Sequence, residues 1–146
     1  MSIRFDEKVV IVTGAGGGLG KEHALEFAKR GAKVVVNDLG GSVDGSGASD
    51  SANEVVELIK SQGGEACASG ASVTDLSAVK AMIAETLETW GRVDILVNNA
   101  GILRDKSFHK MSVEDFNLVM QVHFEGTLNC THTVFPIMRE QAFGRI

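Results

Sequence analysis

The 146-residue sequence has no tyrosine, only two cysteines and no apolar run long enough to cross a bilayer. Without tyrosine, no phenol in this chain can serve as an acid–base group. Cys67 and Cys130 are too few for a disulfide framework and match no metal-ligand spacing, so we expect buried free thiols, a reducing compartment and no metal site. The opening residues lack the apolar core of a secretory signal, so the expected location is the cytoplasm.

Positive charge is not in excess either. The chain carries 14 basic and 19 acidic residues, which gives a formal net charge of -5. Phosphate-rich partners would be repelled on average, so we expect neither nucleic acid nor a membrane surface as a partner. Hydrophobic residues make up 44% of the sequence and charged residues 23%, a balance typical of a globular domain with a moderate core.

Short runs rich in valine and isoleucine alternate with longer segments of helical periodicity. The predicted strands are residues 8–13, 33–38, 65–71 and 93–98, and the predicted helices are residues 19–30, 52–62, 76–90 and 112–138. Residues 144–146 are typical of the start of a fifth strand. Such alternation requires right-handed crossovers and a parallel sheet with helices on both faces. We therefore predict a doubly wound α/β fold of the Rossmann type.

A stretch rich in glycine and serine, residues 40–51, separates the second predicted strand from its helix. It is longer than most loops between a strand and a helix and has the composition of a flexible linker. Because it lies inside the strand–helix repeat and not between two domains, we predict a mobile loop.

A turn crowded with glycines, residues 13–20 (TGAGGGLG), joins the first strand to its helix and is called the glycine turn below. Residues without a Cβ let a ligand approach the backbone, and the start of a helix attracts a phosphate or pyrophosphate. A P-loop is disfavoured, because Ala15 and Glu22 stand where it needs glycine and Ser or Thr. The alternative is that the glycines serve only tight strand–helix packing. The spacing that fits is G-x-x-x-G-x-G, formed by Gly14, Gly18 and Gly20.

Asp38 ends the second predicted strand, 24 residues after Gly14. A carboxylate at this place can accept hydrogen bonds from both hydroxyls of an adenine ribose, whereas a 2′-phosphate would meet a like charge. Neither residues 15–17 nor residues 39–41 include an arginine or lysine to offset that charge. The pattern therefore predicts NAD in preference to NADP. The alternative is that Asp38 only caps the following loop.

A third motif, Asn98-Asn99-Ala100-Gly101, follows the fourth strand. The glycine turn, Asp38 and this motif occur in the order typical of the short-chain dehydrogenase/reductase family, which the chain resembles. Taken alone, Asn-Asn-Ala-Gly is only a turn signal. Residues 37–41, 98–108 and 122–124 are similar to the (3R)-hydroxyacyl-CoA dehydrogenases within that family. The resemblance covers nearly the whole chain. It implies that Asp38 holds the adenosine ribose of the cofactor. The residues implied to hold its pyrophosphate and nicotinamide side are Gly14, Gly18, Leu19 and Gly20. Those implied to form the wall beside it are Asn98, Ala100 and Gly101.

The chain departs from the family pattern at two places. After the third strand the family usually has an Asp-Val pair against the adenine, where this chain has Ser72-Val73. The resemblance then implies a weakened or replaced side-chain contact to the adenine amine and a backbone contact at Val73. In the long helix, His123 stands where the family usually has a catalytic asparagine. His123 either orders a water in a proton relay or is a structural histidine of the core.

In the family, the remaining catalytic Ser, Tyr and Lys follow the fifth strand, so their positions would lie after Ile146. We expect residues 1–146 to be the NAD-binding, amino-terminal part of one domain of about 250 residues, inactive by itself. The implied reaction of the complete protein interconverts a secondary alcohol and a ketone, with a (3R)-3-hydroxyacyl-CoA as the favoured small-molecule substrate. A steroid or another hydroxyl compound is the alternative, as is a noncatalytic NAD-binding module.

Two further features bear on partners. Arg104, Lys106 and Lys110 follow the Asn-Asn-Ala-Gly turn and either contact the phosphates of coenzyme A or form a solvated face. The long helix of residues 112–138 is apolar on more than one stripe, and members of the family pair through it. The resemblance therefore implies a homodimer or homotetramer.

Overall fold

The computed structural model describes residues 3–41, 45 and 50–146. Within these residues, four parallel strands form one sheet in the order β3-β2-β1-β4. The strands are β1 (Val9–Thr13), β2 (Lys33–Asn37), β3 (Glu65–Ser69) and β4 (Ile95–Val97). The helices are α1 (Gly18–Lys29), α2 (Ser51–Ser61), α3 (Leu76–Trp90), α4 (Val113–Met120) and α5 (Gly126–Glu140). This topology confirms the predicted doubly wound α/β fold.

Helices cover both faces of the sheet because successive side chains of a strand point to opposite sides. In β1, Val10 and Val12 pack into one core layer with residues of α1 and α2. Ile11 points the other way, into a second layer with residues of α3 and α5. All three side chains are fully buried. A strand buried on both faces is therefore a continuous apolar run, which is the pattern that identified it in the sequence.

Among the described residues, the predicted fifth strand is represented by one β-bridge, at Arg145. Arg145 pairs in parallel with Ile95 on the outer side of β4. Its N–H donates to the Asp94 carbonyl at 3.0 Å, and its carbonyl accepts from the Leu96 N–H at 3.0 Å. β4 itself is shorter than residues 93–98, although the Asp94 N–H still donates to Val9.

The long helix of residues 112–138 is observed as two α-helices joined by a π-helical turn, Gln121–Glu125. It begins as predicted, with the Ser112 hydroxyl accepting a hydrogen bond from the Asp115 N–H at 3.1 Å. The π turn was not predicted, because apolar spacing does not distinguish it from continuous α-helix. Such turns are frequently found at functional sites, and this one contains His123.

Other boundaries differ by one or two residues. β2 ends at Asn37, so Asp38 follows the strand instead of ending it, and β3 ends at Ser69, not at residue 71. The predicted mobile loop lies mostly outside the described residues, because residues 42–44 and 46–49 are not among them. Among those that are described, no helix is long and apolar enough to cross a membrane.

The two cysteines are free thiols in different surroundings. Cys130 on α5 is fully buried, and burial raises the pKa of its thiol to about 11. Cys67 on β3 is only half-buried, so the expectation that both would be buried was wrong for it. β3 is an edge of the described sheet, which leaves one side of its Cys67 without a covering strand.

Candidate dinucleotide site

A cleft lies where the carboxyl ends of the strands meet, between the glycine turn after β1 and the loops after β2, β3 and β4. β1 is the switch point of the sheet, since the chain runs outward from it to β2 and β3 and then returns to β4 on its other side. Ligands of open α/β sheets bind at such points. Six of the residues predicted from the sequence line this cleft: Gly14, Asp38, Ser72, Val73, Ala100 and Gly101.

The glycine turn needs its glycines for two separate reasons. Gly14 and Gly18 have φ angles of +62° and +52°, in the left-handed region that favours glycine. A Cβ on Gly14 would also lie 2.8 Å from the Ala100 Cα, and a Cβ on Gly20 would collide with the Gly14 carbonyl oxygen. Packing between β1, α1 and the loop after β4 thus excludes side chains at these positions. Tight packing therefore explains Gly14 and Gly20, whereas Gly17 and Gly18 border open space at the helix start.

The N-terminus of α1 is suited to an anion. Within the described residues, no side chain caps it and no acidic residue occupies its first turn. By contrast, the Asp75 carboxylate caps α3 and the Ser112 hydroxyl caps α4. The unpaired N–H groups and the helix dipole at α1 therefore fit a pyrophosphate, and the glycines leave the room it needs. Leu19 in this first turn is 74% exposed.

Two residues that we did not predict hold the glycine turn against the loop after β4. The buried Thr13 hydroxyl accepts hydrogen bonds from the N–H groups of Asn99 at 3.1 Å and Ala100 at 3.0 Å. The Asn99 amide donates to the carbonyls of Thr13 at 2.9 Å and Gly14 at 3.0 Å. Asn99 stood within the motif, but nothing in the spacing showed that its side chain reaches back to β1.

Asp38 is half-buried and already engaged by the protein. Its Oδ2 accepts a hydrogen bond from the Gly16 N–H at 2.9 Å, and its Oδ1 accepts from the Gly40 N–H at 2.7 Å. The Ser51 hydroxyl, in the first turn of α2, lies 3.5 Å from Oδ1. These bonds fix the carboxylate at the mouth of the cleft and leave further lone pairs for a ligand. Loop capping and ribose binding are therefore compatible roles for one side chain.

The wall of the cleft beyond Asp38 is held at its backbone carbonyls. The buried Asn37 amide donates to Ser69 at 3.2 Å and to Ala71 at 2.9 Å. From the other side, the Asn129 amide of α5 donates to the Val73 carbonyl at 2.9 Å. Neither asparagine was predicted, because each acts on a segment more than 30 residues away in the sequence.

Asn98 and His123 are not among the residues that line this cleft. The Asn98 amide donates to the Thr131 hydroxyl of α5 at 3.0 Å. The His123 Nε2 lies 3.1 Å from the Ile102 nitrogen and 3.0 Å from the Ile102 oxygen, so either tautomer makes one hydrogen bond. A Cβ on Gly101 would lie 2.6 Å from the His123 Cε1. His123 is exposed and is therefore not a core histidine. Its ring contacts Ile102, in the loop that lines the cleft.

The basic residues after β4 are neutralised in part. Arg104 and Lys106 form ion pairs with Asp115 of α4 at 3.0 Å and 2.9 Å. The hydrogen bond from Lys106 keeps the pKa of the Asp115 carboxyl below its usual range, with help from the Ser112 hydroxyl. Lys110 is exposed.

The comparison with known families decides the classification. A sequence model of the family described as short chain dehydrogenase matches residues 8–146. The chain belongs to the short-chain dehydrogenase family. This result confirms the resemblance carried by the glycine turn, Asp38 and the Asn-Asn-Ala-Gly motif.

Relatives of this family are much longer than the chain. The peroxisomal multifunctional enzyme type 2 of Drosophila melanogaster is 55% identical over 145 residues, which is 99% of this chain and 24% of that protein. The peroxisomal hydratase-dehydrogenase-epimerase of Saccharomyces cerevisiae is 50% identical over 146 residues, which is 99% of this chain and 16% of that protein. The chain therefore spans a quarter or less of the length of these two relatives.

A solved structure connects the fold to a nicotinamide cofactor. A 7α-hydroxysteroid dehydrogenase in complex with NADH and 7-oxo glycochenodeoxycholic acid has a TM-score of 0.86 and is 36% identical. The match covers 98% of this chain and 54% of that chain. This dehydrogenase of the same fold binds NADH, which supports a nicotinamide cofactor in the cleft described above.

Proposed function

We propose that the complete protein is an NAD-dependent oxidoreductase that interconverts a secondary alcohol and a ketone, and that residues 1–146 hold the cofactor. The observation that carries the proposal is one cleft, lined by Gly14 and Asp38, next to a glycine turn packed too tightly for a Cβ at Gly14 and Gly20 and to a helix N-terminus that no side chain of the described residues caps. The turn and the helix N-terminus suit a pyrophosphate, and the Asp38 carboxylate suits two ribose hydroxyls.

When bound, a nicotinamide cofactor supplies a hydride acceptor or donor. The residues of this chain bind and orient it. The N–H groups at the start of α1 hold the pyrophosphate, and the loop of Ala100 and Gly101 forms the wall beside the cofactor. Because the 146 residues contain no tyrosine, we propose that the acid–base group of the family comes from the rest of the complete protein. Residues 1–146 alone are then expected to bind NADH without turnover.

For the substrate, we propose a (3R)-3-hydroxyacyl-CoA. The name of the yeast relative joins a hydratase to a dehydrogenase. A hydratase creates a hydroxyl group by adding water, and that hydroxyl is what a dehydrogenase oxidises. A steroid is the second candidate, because the NADH-bound relative also holds a 7-oxo bile acid.

The substrate proposal is tested on the complete protein with NAD and the two 3-hydroxybutyryl-CoA enantiomers, by measuring NADH formation. We expect turnover of the (3R) form and little of the (3S) form. A bile acid with a 7α-hydroxyl is the parallel assay. Turnover of the bile acid alone would show that the substrate is a steroid and not an acyl-CoA. NADH binding without turnover of any of these compounds would favour a noncatalytic module.

Selectivity for NAD over NADP is tested at Asp38. We expect the wild-type complete protein to bind NADH more tightly than NADPH, because the carboxylate repels a 2′-phosphate. Replacing Asp38 by Asn removes the charge and keeps the shape, so the preference should fall by about tenfold. Glu57→Gln is the matched control, since Glu57 is exposed on α2 and pairs with Lys60. Equal affinity for the two nucleotides in the wild type would contradict the proposed role of Asp38.

We also propose that the complete protein forms a homodimer or homotetramer through the long helix. Its exposed apolar side chains follow one another at spacings of three or four residues along α4, the π turn and α5. We call them the apolar stripe: Val113, Phe116, Met120, Phe124 and Leu128. Such a continuous row is typical of a surface covered by another copy.

The compartment is the remaining question. The sequence alone predicts the cytoplasm, whereas the names of the fly and yeast relatives place those proteins in peroxisomes. Given the identity of 50% or more, we propose a peroxisomal location. Microscopy of the complete protein fused to a fluorescent protein tests this, and a diffuse cytoplasmic signal would restore the original prediction.

A further inference from the structure

We propose that binding of NAD(H) in the cleft and association of copies through the apolar stripe strengthen each other, because one long helix, residues 113–140, takes part in both. The coupling rests on the proposed function, since it assumes a dinucleotide in the cleft and a second copy on the stripe. It makes the cofactor affinity of each copy depend on the state of assembly.

The long helix presents different residues to the cleft and to its surroundings. Leu118 of α4 and Val122 of the π turn line the cleft. Phe116, Met120 and Phe124 of the apolar stripe are exposed. The two sets are offset by two residues, which corresponds to a rotation of about 200° around an α-helix. They therefore lie on nearly opposite faces of the same helix.

The inner face of this helix holds two loops that line the cleft. In the π turn, the His123 Nε2 lies 3.1 Å from the Ile102 nitrogen and 3.0 Å from the Ile102 oxygen. In α5, the Asn129 amide donates to the Val73 carbonyl at 2.9 Å, and a Cβ on Gly126 would lie 2.6 Å from a Val73 methyl group. Val73 and Ile102 both line the cleft. A displacement of the helix would therefore move two walls of the cleft.

The amino-terminal half of the helix is its loosely packed half. Neither α4 nor the π turn, both described in full, contains a buried residue. Val122 packs against the second core layer but is only partly buried. The buried residues of the helix all belong to α5: Gly126, Cys130, Val134 and Met138. Segments with few buried apolar contacts open locally at a small cost in free energy. α4 and the π turn are therefore the two-state element, either packed against the cleft loops or locally open.

A second copy and a dinucleotide both favour the packed state of this element. Covering the apolar stripe removes apolar surface from water only while the helix is formed. The cleft is complete only while Leu118 and Val122 stand in its wall. Each binding event therefore removes part of the ordering cost of the other. Linkage then requires NADH to strengthen association by the same factor by which association strengthens NADH binding.

The first experiment compares the NADH dissociation constants of the wild-type complete protein and of a monomeric variant, measured by calorimetry. Phe116→Glu combined with Leu128→Glu places two charges on the stripe, and neither position is among those that line the cleft. We expect this variant to bind NADH at least about fivefold more weakly. Ala81→Glu combined with Thr89→Glu is the matched control, since it adds the same two charges at exposed positions of α3 and should leave NADH affinity unchanged.

A second experiment needs no substitution, and so covers the case in which circular dichroism shows that the stripe variant does not fold. The dissociation constant of the wild-type assembly is measured by diluting fluorescently labelled protein, with and without saturating NADH. We expect NADH to lower this constant at least about fivefold. In the same samples, NADH should slow hydrogen exchange at the amides of residues 113–125, because it favours the packed state of that segment.

The outcomes separate the coupling from the proposals on which it rests. A folded monomeric variant that binds NADH as tightly as the wild type overturns the coupling alone. The same holds for a wild-type assembly whose dissociation constant and hydrogen exchange do not change with NADH. A monomeric wild type that binds NADH overturns the proposed assembly and the coupling, but not the proposed oxidoreductase. Absence of NADH binding by the wild-type complete protein overturns the proposed function and the coupling with it.

Discussion

At the scale of single residues, two glycines of one turn differ in whether their surroundings tolerate a Cβ. A Cβ at Gly20 would collide with the Gly14 carbonyl and lie 2.5 Å from the Asn99 amide. A Cβ at Gly17 would meet no atom within 4 Å, and Gly17 has an extended backbone that any residue adopts, with φ of -162°. The glycine content of the turn is thus required at some positions and incidental at others.

Substitution by alanine should separate these positions. Gly20→Ala must displace either the turn or Asn99, so we expect NADH binding at least about tenfold weaker and a lower Tm. Gly17→Ala should leave the Tm nearly unchanged. Calorimetric binding and thermal unfolding of the complete protein measure both effects. Similar losses of NADH affinity and Tm in the two variants would show that the close contacts at Gly20 are not the reason for its effect.

His123 acts on the loop of Gly101 and Ile102 through its ring. We expect His123→Ala to lower kcat of the complete protein by about tenfold and to change NADH affinity less, because the loop lines the cleft without the ring entering it. His123→Asn should restore most of kcat, since an amide also donates and accepts. If kcat of the alanine variant equals that of the wild type, His123 has no part in the reaction.

At the scale of elements, the amino end of β4 is tied to β1 by a buried charge. Asp94 is fully buried and lies at the end of the sheet opposite the cleft. Its carboxylate accepts hydrogen bonds from the Arg92 guanidinium at 2.7 Å and 2.6 Å and from the Val9 N–H at 3.0 Å. Burial by itself raises the pKa of Asp94, but the bonds from Arg92 and Val9, with the charge of Lys8, hold that pKa below its usual range.

This carboxylate makes the stability of the sheet depend on pH. Because the pKa of Asp94 is lower in the folded than in the unfolded chain, its ionised form stabilises the fold above about pH 4, and this contribution is lost as the pH falls further. Asp94→Asn should lower the free energy of unfolding by about 2 kcal/mol near neutral pH. The gap to the wild type should narrow below about pH 4.

Urea unfolding at several pH values measures the effect. Asp6→Asn is the control, because Asp6 pairs with Arg4 at 2.7 Å on the exposed surface and should contribute little. A gap between wild type and Asp94→Asn that stays constant down to pH 2 would show that the charge of Asp94 is not the stabilising feature.

At the scale of the whole molecule, the apolar stripe is a continuous row of apolar side chains that the described fold leaves exposed. Phe116 is 53% exposed and Leu128 56% exposed, on α4 and α5. Replacing both by Glu should shift the complete protein from the proposed dimer or tetramer to a monomer, because charge would be buried between copies. Light scattering after size exclusion measures the mass. Leu76→Glu is the control, since Leu76 is exposed on α3 outside the stripe. A monomeric wild type would contradict the proposed assembly.

The fold was predictable because its signals are local. Strands such as β1 are continuous apolar runs, and α3 is observed with the predicted bounds, Leu76–Trp90. The glycine spacing and Asp38 were predictable for the same reason, since each depends on the order of residues within one strand, turn and helix. The roles of Thr13, Asn37 and Asn129 were not predictable, because each side chain bonds to a segment distant in the sequence.

The sequence by itself determined the alternation of strands and helices, the place of the glycine turn and the family. Only the tertiary structure decided which carboxylates line the cleft. Asp38 and Asp75 both follow a strand and precede a helix, but Asp38 is held at the cleft by the N–H of Gly16 and Asp75 is turned into the first turn of α3. The physical reason is that a carboxylate accepts hydrogen bonds from the N–H groups nearest to it. The packing of the surrounding loops determines which N–H groups are near.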